Sequence, residues 1–153
     1  MAYYLDTSAL VKRYAQEAGT AWVINLTDPS AGHDIYIVRI AGPELIAALF
    51  RKVRTREISQ EEAVRAAANF RTDFRAQYQI TEVTTSLANR AMELAEKHGL
   101  RGYDAVHLAA AVELHTVRDR MELLPLVFIS ADNDLNMAAH AEGLVTDDPN
   151  TYS

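Results

Sequence analysis

Short runs of aliphatic, aromatic and β-branched residues recur along this chain, each followed by a longer stretch whose apolar positions fall three or four apart. The short runs predict strands and the longer stretches predict amphipathic helices. Tyr3-Tyr4-Leu5 opens the chain as a buried strand, and Ala9 to Gln16 follows as a helix with cap-type Thr7 and Ser8 before it. Gly19 breaks that helix, and Thr20 to Thr27 predicts a second, apolar one. Asp28 to Gly32 has turn chemistry. Ile35 to Val38 is rich in β-formers. Gly42-Pro43 then opens a helix running through Glu44 to about Arg56, with proline tolerated in its first turn.

Ser59 and Glu62 have capping-box spacing, and the helix they start is expected to reach Arg75. Ile80 to Val83 is a candidate strand, and Ser86 to His98 a helix closed by Gly99. Tyr103 to about Thr116 predicts an alanine-rich helix. Arg118 to Pro125 reads either as a loop or as an extension of it. Leu126 to Ile129 is a strand, Leu135 to Glu142 a short helix ended by Gly143, and Leu144-Val145 a candidate last strand. Strand and helix thus alternate from end to end, which favours a mainly parallel sheet with helices on both faces in one α/β domain, residues 1–153.

Composition changes this picture little. A chain of 153 residues that is half apolar can bury one ordinary core. There is no cysteine, which removes disulfides, thiolate metal sites and cysteine nucleophiles and fits a reducing cytosol; a cytoplasmic protein is expected. The first residues lack a basic segment, and their apolar run stops at Asp6, so no signal peptide is expected. No apolar run is long enough to span a bilayer, so no membrane association is expected. The net charge of −6 argues against a nucleic-acid binder when taken alone. A cluster of acids around a cation would produce the same sum without describing the outer surface.

Such a cluster is expected. In open α/β sheets ligands bind beyond the carboxyl ends of the strands. Asp6 follows the first strand, Glu44 lies in the first helical turn after the second, and Asp132 follows Leu126 to Ile129. Asp104 lies in the first turn of its own helix, just after Arg101-Gly102. Converging carboxylates suit Mg²⁺ or Mn²⁺, hard ions with a preference for oxygen. Without metal their pKa values should be raised and coupled, so Glu44→Gln should stabilise the metal-free fold. Each acid also has a plain structural reading. Asp6 and Asp132 could be helix caps, and Glu44 and Asp104 could complement helix dipoles. His107, three residues after Asp104, reads first as packing in an alanine-rich helix and second as a partner of a site carboxylate. The other histidines have no zinc spacing, Ser8 has no nucleophile-elbow context, and neither a Walker A motif nor G-x-G-x-x-G is present. The basic run Arg51 to Arg56 lies roughly 10–18 Å from Glu44 along the helix, at ~1.5 Å per residue. It cannot touch a phosphate being cut at the acids, though it could hold flanking RNA or an acidic partner. Lys12, Arg13 and Arg101 are the nearer substrate-contact candidates.

These residues resemble a known family. Leu5-Asp6-Thr7-Ser8-Ala9-Leu10 resembles the opening motif of PIN-domain nucleases, and Pro43-Glu44-Leu45 their second acidic site. The run from Leu100 to Ala111 resembles their third motif, and Phe128-Ile129-Ser130-Ala131-Asp132 their fourth. The match spans nearly the whole chain in order and is similar to VapC toxins of toxin–antitoxin pairs. It implies a three-layer α/β/α fold, Mg²⁺ or Mn²⁺ dependence, and endonucleolytic hydrolysis of RNA by a metal-activated water, leaving a 5′-phosphate. It further implies a homodimer restrained by a small antitoxin. Asp6, Glu44, Asp104 and Asp132 would ligate or orient the metal, with Thr7 and Ser130 positioning carboxylates or waters and Asp134 as a further acid. The helices near Glu44–Arg56 and Ser59–Tyr78 resemble the region where antitoxin segments pack. Two other readings stand beside this one. The first is a PIN-like module that binds RNA or a partner without cutting. The second is a phosphohydrolase with Asp6 as nucleophile, which normally needs an acid where Ser8 stands.

Overall fold

A computed structural model describes residues 1–152. The chain runs β1 (Ala2–Leu5), α1 (Thr7–Tyr14), α2 (Thr20–Thr27), β2 (Asp34–Val38), α3 (Ala41–Arg54) and α4 (Gln60–Ala76). It continues with β3 (Gln79–Thr81), α5 (Thr85–His98), α6 (Gly102–Arg120), β4 (Leu126–Ile129), α7 (Asn133–Ala141) and β5 (Val145–Asp147). All strand pairs are parallel, in the order β3-β2-β1-β4-β5.

The period-2 alternation of the strands divides the core. Ala2 and Tyr4 of β1, Val38 of β2, and Leu126 and Phe128 of β4 face α5, α6 and α7. Leu5, Ile35, Ile37 and Ile129 face α1 to α4. The sheet is therefore covered on both faces, as a parallel sheet requires. Tyr4 and Phe128 stack with ring centroids 5.6 Å apart at the middle of the first layer. Strand order reverses beside β1, which has β2 on one side and β4 on the other. That reversal opens a crevice at the carboxyl ends of β1 and β4.

Several boundaries differ from those expected. Thr7 and Ser8 are not the caps of α1 but its first residues; Asp6 caps it, accepting the Ala9 N–H at 3.0 Å. The third strand starts at Gln79 rather than Ile80, because it pairs in register with Tyr36 to Val38. The last strand is Val145–Asp147, shifted past Leu144, which turns into the core. Arg118 to Arg120 continue α6, and the chain turns at Met121 and Glu122 before β4. The Ser59–Glu62 capping box is present in both directions, each bond 3.1 Å long. Among the described residues no helix is long and apolar enough to cross a membrane.

Candidate metal centre

The crevice beyond β1 and β4 opens into a cavity of about 880 Å³. Asp6, Glu44, Asp104 and Asp132 all line it. They reach it from the end of β1, the first turn of α3, the first turn of α6 and the N-terminus of α7.

Asp6 is almost fully buried, with 3% of its surface exposed. Its backbone N–H donates to Ile129 at 3.1 Å, tying the end of β1 to β4. Its Oδ1 accepts from Ser8 Oγ at 2.7 Å, and its Oδ2 from Ser130 Oγ at 2.7 Å. Burial pushes the Asp6 carboxyl up; the facing His107 and the Ser130, Ser8 and Ala9 donors pull against it. Ser130 Oγ also accepts the Asp132 N–H at 3.0 Å, and Ser8 Oγ accepts the Ala131 N–H at 2.9 Å. Two serines thus stitch the loop after β4 onto the loop after β1. Asp132 caps α7 with Oδ1, accepting from Leu135 N–H at 3.1 Å. Capping leaves both Asp6 and Asp132, which line the cavity, acceptor capacity to spare.

Glu44 is held from two sides. Its Oε1 accepts from Thr7 Oγ1 at 2.8 Å and from His107 Nε2 at 2.7 Å. His107 is buried, and its Nδ1 stands 2.8 Å from the hydroxyl of the buried Tyr4. Burial alone would push Glu44 up, but the His107 and Thr7 hydrogen bonds outweigh it and hold the carboxyl below its ordinary range. This corrects the expectation of crowding at Glu44. The crowded acid is Asp104: partial burial raises it first, then repulsion from Asp132, Asp6 and Glu44, with His107 opposing.

A stability contrast follows. The raised Asp104 pKa means that its ionised form costs the metal-free fold stability above the folded pKa. That cost disappears as pH falls through the folded pKa toward the unfolded value. Asp104→Asn should therefore raise the metal-free melting temperature near neutral pH by roughly 1–2 °C. That corresponds to about 0.5 kcal/mol after discounting for solvent at a half-exposed group. Glu44→Gln should lower it. Differential scanning calorimetry in a chelator checks both signs, and a lower melting temperature for Asp104→Asn counts against repulsion there.

The other expected residues divide. Arg101 stands exposed on the cavity rim just before α6. Lys12 lines the cavity but is buried and paired with Glu17 at 3.1 Å; Glu17 also takes Lys52 at 2.7 Å. Arg13 leaves the site altogether. Adjacent helical residues project about 100° apart, and Arg13 turns to Gln77 Oε1 at 2.8 Å and Tyr78 OH at 2.7 Å. Asp134 is exposed on α7 and does not line the cavity. Arg51 and Lys52 line the far end of the same cavity, along α3 from Glu44. Tyr4 and Ser8 carry roles that sequence reasoning missed. A hydroxyl two residues after a capping Asp is a usable signal for Ser8; nothing local marks Tyr4.

The donors at this site are carboxylate oxygens backed by hydroxyls, a set suited to a hard divalent cation. Among the described residues no three His, Asp or Glu side chains form a ready cage for an ion. Mg²⁺ does not require one, since it keeps several waters. The repulsion converging on Asp104 is what a cation relieves, so these residues fit the ion.

The family model of the PIN domain matches residues 3–141. The chain belongs to the PIN-domain family. It is 35% identical over 141 residues to Ribonuclease VapC45 of Mycobacterium tuberculosis, covering 92% of this chain and 90% of that protein. Solved structures share this fold. VapBC2 from Rickettsia felis, bound to a DNA fragment from its promoter, matches with a TM-score of 0.62 at 14% identity, covering 97% of this chain and 98% of that one. Mycobacterium tuberculosis VapC20, a sarcin-ricin loop cleaving toxin, matches with a TM-score of 0.60 at 19% identity, covering 94% and 96%. PIN-domain ribonucleases generally use divalent metals.

Proposed function

We propose that this chain is a Mg²⁺- or Mn²⁺-dependent endoribonuclease and the toxin of a toxin–antitoxin pair. The observation that carries the reading is the convergence of Asp6, Glu44, Asp104 and Asp132 on one cavity at the strand-order reversal, with their mutual repulsion felt at Asp104. The 35% identity to a named ribonuclease over 92% of the chain supports it.

In this reading the four acids would hold the ion, directly or through water. When bound, the ion supplies positive charge to an attacked phosphate and makes water a stronger nucleophile near neutral pH. The chain's own groups do the rest. Ser8 and Ser130 hold both oxygens of Asp6, and Thr7 and His107 hold Glu44. Arg101 on the rim would meet a substrate phosphate. Tyr103, 64% exposed beside it, offers a face on which an unpaired base can stack. A single-stranded or looped RNA is therefore the favoured substrate class. The aspartyl-nucleophile alternative loses support, because Ser8 already bonds Asp6 and Ala131 and no acid stands in its place.

Purified protein with Mn²⁺ should cut RNA internally and leave 5′-phosphate ends, and chelation should stop it. Intact RNA under those conditions, with Mn²⁺ shown to bind, would turn the reading to the non-catalytic RNA- or partner-binding module. The homodimer and the antitoxin belong to the same proposal. Light scattering should give twice the chain mass, and co-expression with the product of a small upstream open reading frame should suppress cleavage.

A further inference from the structure

We propose that Tyr4 and His107 are positioning residues that hold Glu44 with Oε1 committed to the protein and only Oε2 presented to a cation. This rests on the metal-site reading above and assigns roles to two side chains that lie behind the acids.

The argument is one of donors and acceptors. An ionised carboxylate only accepts hydrogen bonds. His107 Nε2, 2.7 Å from Glu44 Oε1, must therefore carry a hydrogen. A neutral imidazole then has Nδ1 left as an acceptor. The hydroxyl of Tyr4 stands 2.8 Å from that Nδ1 and is buried at the sheet centre, where its proton has no water to meet. The chain of donation runs from Tyr4 O–H to Nδ1, and from Nε2–H to Oε1. Thr7 Oγ1 donates to the same Oε1 at 2.8 Å and lies 3.3 Å from Nε2. Both donors converge on one oxygen. Among the described residues no hydrogen bond reaches Oε2, while Glu44 lines the cavity.

The relay also sets spacing between elements. Tyr4 is on β1, Thr7 on α1, His107 on α6 and Glu44 on α3. Asp104 sits three residues before His107 on α6, so a bond from His107 to α3 fixes how far Glu44 stands from Asp104. The Tyr4 ring is stacked on Phe128 and cannot swing away.

The test uses the purified full chain. In nitrogen-15 imidazole spectra without metal, His107 should have a protonated Nε2 and a bare, hydrogen-bonded Nδ1. Mn²⁺ binding by titration calorimetry should weaken on the order of tenfold in Tyr4→Phe and at least as much in His107→Leu. His107→Gln, whose amide can donate to Oε1, should recover most of the loss. In a Glu44→Gln background neither Tyr4→Phe nor His107→Leu should weaken Mn²⁺ further. Circular dichroism and thermal melts report folding of each variant, and the wild-type spectrum decides the direction of donation even if His107→Leu does not fold. A proton on Nδ1, or wild-type Mn²⁺ affinity in Tyr4→Phe when Glu44→Gln is impaired, overturns the relay alone. Wild-type affinity in Glu44→Gln overturns the metal role of Glu44 and the relay with it.

Discussion

Asp6→Asn should cut RNA cleavage roughly a hundredfold to a thousandfold while leaving the fold intact. Asparagine has the same shape as aspartate and caps helices about as well, so the 3.0 Å bond from Ala9 N–H that opens α1 survives. Ser8 and Ser130 can rotate their hydroxyls to suit one amide oxygen and one amide nitrogen. What is lost is one negative charge at the buried end of the cavity. Charge stabilisation by a bound cation is worth several kcal/mol in a transition state, and about 1.4 kcal/mol is a factor of ten in rate. Initial rates on a labelled RNA at saturating Mn²⁺ measure the drop. A rate within threefold of wild type would remove Asp6 from the chemistry. Asp104→Asn should lose activity to a similar degree, while gaining a small amount of metal-free stability; this opposition of sign separates a site acid from a structural one.

That opposition also shows how far the sequence could be read. The strand–helix alternation was legible because β1, β2 and β4 are short apolar runs with period-2 faces, and each is bounded by cap or turn residues. The rim that gathers Asp6, Glu44 and Asp132 follows from parallel strands, since every strand then ends on the same side, and Asp104 joins it from the first turn of the helix that leads into β4. Local chemistry was legible too: Ser59 with Glu62, Gly99 closing α5, and Ser130 two residues before Asp132 all act within one turn.

What was hidden is direction and long-range pairing. Lys12 and Arg13 are equivalent as letters, yet one helical step sends Lys12 to Glu17 in the cavity and Arg13 to Tyr78 outside it. The bond between Tyr4 and His107 joins residues a hundred positions apart, and a tyrosine in a buried strand gives no local sign of a polar partner. For the same reason Glu44 was misjudged. Four acids on one rim suggest uniform repulsion, but at Glu44 the His107 and Thr7 bonds outweigh burial and lower the carboxyl, while the repulsion is felt at Asp104. Net charge was the poorest guide of all, because it sums acids that face a cation with acids that face solvent.

The second large effect is expected away from the site. Gly19→Ala should lower stability by about 3 kcal/mol, or roughly 6–12 °C in melting temperature. Gly19 precedes α2 with φ +86°, a left-handed conformation that costs an L-residue about 1–2 kcal/mol. A Cβ there would also lie 2.2 Å from the Pro149 carbonyl oxygen and 2.7 Å from its carbon. Both are backbone atoms, so no side-chain rotation relieves the clash. The segment Pro149–Tyr152 must move off α2, and with it goes the stack of Tyr152 on Trp22, whose ring centroids lie 4.4 Å apart. Trp22 is the only tryptophan in the chain, so its fluorescence reports that separation directly. The variant should melt early and its emission should shift before global unfolding begins. Because α2 packs on α1, whose N-cap is Asp6, Mn²⁺ binding gives a second reading. Binding that persists at low temperature, together with early loss of the tryptophan signal, would place the damage in the C-terminal clasp. A wild-type melting temperature would mean that the close approach of Gly19 to Pro149 contributes nothing to stability.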